Sequence, residues 1–127
     1  MNTDYQDKPL VYACSGCSNV AQLANDLAVV LDREGSAQMS CIAGVGGKVK
    51  QLVKVAQSGR PILAVDGCPL NCVKQTLATV DVVPTWHIEL TTLGYKKRDH
   101  ENCDLSDAYK LLQMVHSDIL PKSARAC

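Results

Sequence analysis

The chain has 127 residues and a mass of 13.7 kDa, with 46% apolar and 20% charged side chains, the proportions of one globular domain rather than of a disordered chain. Thirteen basic and thirteen acidic residues cancel, which removes the positive surplus that a general nucleic-acid binder uses to displace counterions. No apolar run approaches the roughly 18 residues of a membrane span, and the polar, acidic start Met1–Asp7 does not read as a secretory signal, so a cytoplasmic protein is expected.

The core must be aliphatic, because 14 Val, 14 Leu, 12 Ala and 4 Ile stand against 4 Tyr, 1 Trp and no Phe. Residues 1–8 are expected to be loose. Residues 9–13 then read as a short buried strand. Cys14-Ser15-Gly16-Cys17-Ser18 is a turn, and Ser18 or Asn19 can cap a helix that runs to about Arg33. Val20, Leu23, Ala24, Leu27, Val30 and Leu31 make its apolar face. Gly35 suits a left-handed stop.

The unit repeats. Residues 37–40 predict a second strand, which gives way to Cys41 and a glycine-bearing loop over 42–47. A helix over 48–58 is expected to bury Val49, Leu52, Val53 and Ala56. Residues 61–65 form an unbroken apolar run, the pattern of a parallel strand covered on both faces. Asp66-Gly67-Cys68-Pro69-Leu70-Asn71-Cys72 follows, then a short helix with Val73 and Leu77 inward. Residues 82–90 predict a fourth strand, with Pro84 at its start or on an edge. Residues 91–103 are polar and irregular. A last helix over 105–120 is expected to turn Leu105, Ala108, Leu112, Val115 and Ile119 inward, capped by Asp104 or Ser106. Residues 121–127 are expected to be loose. Strand–helix units of this kind imply a parallel sheet with helices on its faces. The predicted fold is a single α/β domain, a small three-layer sandwich of about four mainly parallel strands, flavodoxin-like or Rossmann-like.

Seven cysteines are many for a chain expected in a reducing compartment, where structural disulfides are rare. Their placement matters more than their number. Cys14, Cys41 and Cys68 each follow a strand, so a parallel sheet puts all three on one edge. Strands ~4.8 Å apart bring three such ends within about 10 Å of one another. Cys17 and Cys72 stand near the starts of the following helices. Five thiols therefore face one rim, where helix N-termini favour negative charge; Lys48 and Lys74 add to it. A set of sulfur ligands suits zinc or an iron–sulfur cluster. The pair Cys14 and Cys17 ahead of a helix also fits a thiol redox enzyme or carrier.

The segments around Cys14, Cys41 and 65–72 resemble the DGC-domain family, named for the tripeptide that stands here as Asp66-Gly67-Cys68. The likeness spans residues 9 to 120. It implies a zinc site on four characteristic cysteines, which fall on Cys14, Cys41, Cys68 and Cys72. Cys17 departs from the family pattern, as a replacement ligand or a spare thiol.

The remaining candidates read more plainly. Gly44–Lys48 is a turn that serves Cys41, with an anion cradle as the alternative. Asp66 shapes its turn, with a place beside the metal as the alternative. His87, His100 and His116 are not expected to be ligands, and Trp86 is expected to pack. Lys96-Lys97-Arg98 is expected to be a solvated face. Cys103 and Cys127 lie outside the repeated units. The partner expected for this rim is a metal ion, with no nucleic acid and no membrane.

Overall fold

A computed structural model describes residues 3–120. Strand β1 is Leu10–Ala13, helix α1 Asn19–Arg33, strand β2 Gln38–Met39, helices α2 and α3 Ile42–Gly46 and Lys50–Ala56. Strand β3 is Ile62–Asp66, helix α4 Cys72–Ala78, strand β4 Trp86–Glu89 and helix α5 Asp107–Asp118. The four strands run in the order β2-β1-β3-β4 and every pair is parallel. The fold is α/β with helices on both faces of the sheet, as the strand–helix alternation predicts.

Side-chain alternation along the strands explains the unbroken apolar runs. Val11 and Ala13 of β1, with Leu63 and Val65 of β3, face a core closed by Leu23, Leu27 and Leu31 of α1 and by Leu111 and Val115 of α5. Leu10 and Tyr12, with Ile62 and Ala64, face a second core closed by Val45 of α2 and by Val73 and Leu77 of α4. Both faces are covered, so both parities must be apolar.

The chain leaves β1 toward β2 and returns past β1 to reach β3. The strand order therefore reverses between β1 and β3. At that point the carboxyl ends of an open parallel sheet leave a crevice.

Several expectations change in detail. The loop over 42–47 is instead the short helix α2, capped by Cys41. Gly44 sits inside it because a Cβ there would meet Leu52 Cδ1 at 2.0 Å. Lys48 takes a left-handed φ of 60°, which delays α3 to Lys50. Of the four side chains expected inward from that helix only Ala56 is fully buried, and Val49 is 48% exposed. Helix α5 begins at Asp107, so Leu105 precedes it and is 90% exposed. Its buried stripe is Ala108, Leu111 and Val115, with Leu112 and Ile119 half-buried. Ser106 makes no side-chain cap bond, while Asp104 Oδ1 accepts from Ser106 N–H at 3.3 Å.

The amino-terminal residues that the pattern leaves loose include a 3-10 turn, Thr3–Asp7. Tyr5 OH donates to Asp32 O at 2.6 Å, and the Arg60 guanidinium donates to Tyr5 O at 2.8 Å and Lys8 O at 2.6 Å. Residues 121–127, including Cys127, lie outside the described residues. Among the described residues no helix is long and apolar enough to cross a membrane.

Candidate functional site

The parallel pairing places Cys14, Cys41 and Cys68 beyond the carboxyl ends of β1, β2 and β3, on one edge of the sheet. Each lies ahead of a helix. Ser18 caps α1 by accepting from Ala21 N–H at 3.1 Å. Cys41 caps α2 with its own sulfur, which accepts from Gly44 N–H at 3.3 Å. Cys72 is the first residue of α4 and follows Asn71, whose φ of 52° turns the chain into that helix.

Four of the five thiols meet in one cavity. Cys14, Cys17, Cys68 and Cys72 line a space of about 180 Å³ together with Gly67, Leu70, Lys97 and Asp99. Gly67 makes this possible. Its backbone lies against the start of α1, where a Cβ would fall 2.7 Å from Val20 C and 2.8 Å from Ala21 N. That close approach carries the Cys68 turn up to the loop that holds Cys17. Cys41 is the exception: it stands on the β2 side of β1 and does not line this cavity.

Positive groups are aimed at the sulfurs. Gly67 N–H donates to Cys14 Sγ at 3.2 Å, and Lys97 Nζ lies 3.7 Å from Cys68 Sγ. Lys97 therefore lines the site from the solvated segment that the sequence predicts, a role the charge run alone does not signal. Lys48 instead turns to Thr79 Oγ1 at 2.6 Å, away from the thiols. The donor set suits a soft ion: sulfur ligands, with an N–H and an ammonium group placed to offset thiolate charge. Among the described residues no three His, Cys, Asp or Glu side chains are drawn close enough to hold an ion as they stand. The described cysteines are all free thiols.

Asp66 does more than shape its turn. It is 1% exposed. Its Oδ1 accepts from Val73 N–H at 2.7 Å and its Oδ2 from Lys74 N–H at 3.2 Å, which satisfies the first turn of α4 from the end of β3. His87 Nε2 donates to the same Oδ2 at 2.9 Å. The alternation along β3 and β4 carries the signal for this pair. His87 registers with Ala64, two positions before Asp66, so both side chains leave the sheet on one face. His116 pairs with Glu34, and neither lines the four-thiol cavity. Cys103 packs beside Asn19, outside the four-thiol cavity, and burial pushes its thiol pKa up.

Burial, and then the neighbouring Asp66, Cys72 and Cys68, push the Cys14 thiol up to about 11, against the pull of the Gly67 N–H. At neutral pH Cys14 then holds roughly one hundredth of the thiolate of an ordinary cysteine. In metal-free protein it is expected to be alkylated more slowly than the exposed Cys17 and Cys41, as peptide mass spectrometry would show. Cys14 alkylation as fast as theirs contradicts this. The same shift sets a pH dependence. The folded chain keeps Cys14 protonated while the unfolded chain ionises it, so its stabilisation is complete below about pH 9 and is lost as pH rises toward 11.

A family model described as the DGC domain matches residues 10–115. The chain is 60% identical over 119 residues to the "Anaerobic and virulence modulator AnvM" of Pseudomonas aeruginosa PAO1, covering 94% of this chain and 91% of that protein. No solved structure matches.

Proposed function

The chain belongs to the DGC-domain family, and on that premise we propose that it is a small metal-binding protein whose thiolates take zinc at the carboxyl edge of the sheet. The observation that carries this reading is the cavity shared by Cys14, Cys17, Cys68 and Cys72. Two of these come from the β1–α1 loop, Cys68 from the β3–α4 loop and Cys72 from the first position of α4, so an ion held by all four would tie these segments across the switch point of the sheet.

Zinc with four thiolates has no open position and would act as a structural or sensory tie. The relative is named as a modulator. A sensory or metal-handling role without a substrate is consistent with that name. Cys41, one strand away, would then be a spare thiol next to the site. Free thiols of this kind call for a reducing compartment, and the reading places the protein in the cytoplasm.

Protein purified without added metal is expected to carry about one zinc per chain by elemental analysis. Cys68→Ser and Cys72→Ser are expected to abolish stoichiometric binding. Cys17→Ser is expected to weaken it far more than Cys41→Ser. Substoichiometric zinc with no other metal overturns the reading. Equimolar iron with visible absorbance would assign an iron–sulfur cluster to the same cavity.

A further inference from the structure

Two residues of the segment 96–100, Lys97 and Asp99, line the thiol cavity, and one side chain ties the segment down. Asn19, the first residue of α1, is 1% exposed. Its Oδ1 accepts from Arg98 N–H at 2.6 Å, and its Nδ2 donates to Lys96 O at 2.8 Å. Its backbone N–H donates to Arg98 O at 2.9 Å. The residues before it extend the clasp. Ser18 pairs with Asp99 in an antiparallel bridge, and Cys17 O accepts from His100 N–H at 3.1 Å. The strap so held places Lys97 Nζ 3.7 Å from Cys68 Sγ and Asp99 Oδ1 3.9 Å from Cys17 Sγ.

A buried amide side chain must find partners for both its ends. Here both ends reach the strap, Nδ2 also donates to Cys103 Sγ at 3.5 Å, and neither end serves α1 itself, which Ser18 already caps. We infer that Asn19 is the positioning residue of the thiol site, and that the strap it holds is a cover that decides how large a molecule reaches Cys14 and Cys68. The inference rests on reading the four cysteines as one site. It adds a moving part: one strand of chain whose release opens the cavity without unfolding the sheet, because its side-chain anchor is a single residue at a helix start.

The test compares two thiol reagents on the full chain with chelator present. Methyl methanethiosulfonate is small, and a maleimide carrying polyethylene glycol is bulky. Peptide mass spectrometry gives the rate at each cysteine. The bulky-to-small ratio cancels differences in thiolate supply and reports access alone. Cys41, outside the cavity, is the internal reference.

In the unmodified protein the ratio at Cys14 and Cys68 is expected to lie well below that at Cys41. Asn19→Ala removes both side-chain bonds to the strap, along with the one to Cys103 Sγ, and is expected to raise the ratio at Cys14 and Cys68 about tenfold, with Cys41 unchanged. Asn19→Asp keeps the acceptor for Arg98 N–H and loses the donor to Lys96 O. It is expected to give a smaller rise, and it decides the matter if the alanine variant fails to fold. An unchanged ratio at Cys14 and Cys68 in a folded variant overturns the proposal, and so does an equal rise at Cys41. The measurement needs no metal, so a failure here is separate from a failure of zinc to bind.

Discussion

Asp66→Ala is expected to destabilise the metal-free protein by about 3–5 kcal/mol, because several donors lose their acceptor and each buried one left unpaired costs about 1–3 kcal/mol. The carboxylate is 1% exposed and holds three donors, Val73 N–H, Lys74 N–H and His87 Nε2. Alanine leaves all three without their acceptor where water has little access. Asn71 offers no replacement, because its side chain makes no cap bond to α4. Asp66→Asn keeps one oxygen for Val73 N–H but presents an amide to the other donors, and an intermediate loss is expected. His87→Ala leaves both backbone bonds to Asp66 in place and is expected to lose about 1 kcal/mol. Urea unfolding with chelator present ranks the three. An Asp66→Ala midpoint equal to the wild type would show that α4 does not depend on this carboxylate. Cys72 opens the helix that Asp66 caps, so the same variant is expected to weaken zinc binding without touching a thiol.

Gly67→Ala is the second large effect. The added Cβ would meet the α1 backbone, Val20 C at 2.7 Å and Val20 O and Ala21 N at 2.8 Å. Backbone atoms cannot rotate aside, so the Cys68 turn must part from α1. A loss of about 3 kcal/mol is expected, at the upper end of the usual range for overpacking. The contrast is Gly44, where a Cβ would meet Leu52 Cδ1 at 2.0 Å, the end of a side chain that has other rotamers. Gly44→Ala is therefore expected to be the milder variant despite the shorter contact. Chemical denaturation compares them, and an equal or reversed order refutes the argument. Moving the Cys68 turn also draws Cys68 away from Cys17, so Gly67→Ala is expected to lose zinc while keeping all its cysteines.

Much of the frame is legible along the chain. The first three strands and the limits of α1 follow from local patterns, whereas the fourth strand, expected over 82–90, is only Trp86–Glu89. Three cysteines at three strand ends also follow from local reading, because parallel strands share an edge. The last helix shows where such reading stops. Leu105, Ala108, Leu112, Val115 and Ile119 form a good stripe, yet the helix begins only after Leu105 and turns Leu111 inward against the first core. Overlapping stripes share most of their residues, and the surface that receives the helix chooses between them. Lys96-Lys97-Arg98 is exposed, as its charge run predicts, but what holds the segment in place lies beyond local reading. Its anchor, Asn19, lies 77 to 79 residues away.

The sequence by itself determined the alternation of strand and helix, the parallel sheet and the gathering of cysteines at its carboxyl edge, all set by periodicity and by what sits next to what. Tertiary structure alone decided the rest. The strand order set Cys41 on the far side of β1 from Cys68. The close approach of Gly67 brought Cys17 and Cys68 to one cavity. Pairs 21 and 82 residues apart, His87 with Asp66 and Asp99 with Cys17, completed the surroundings. Such contacts depend on which surfaces meet when the layers close, and no window of neighbouring residues carries that choice.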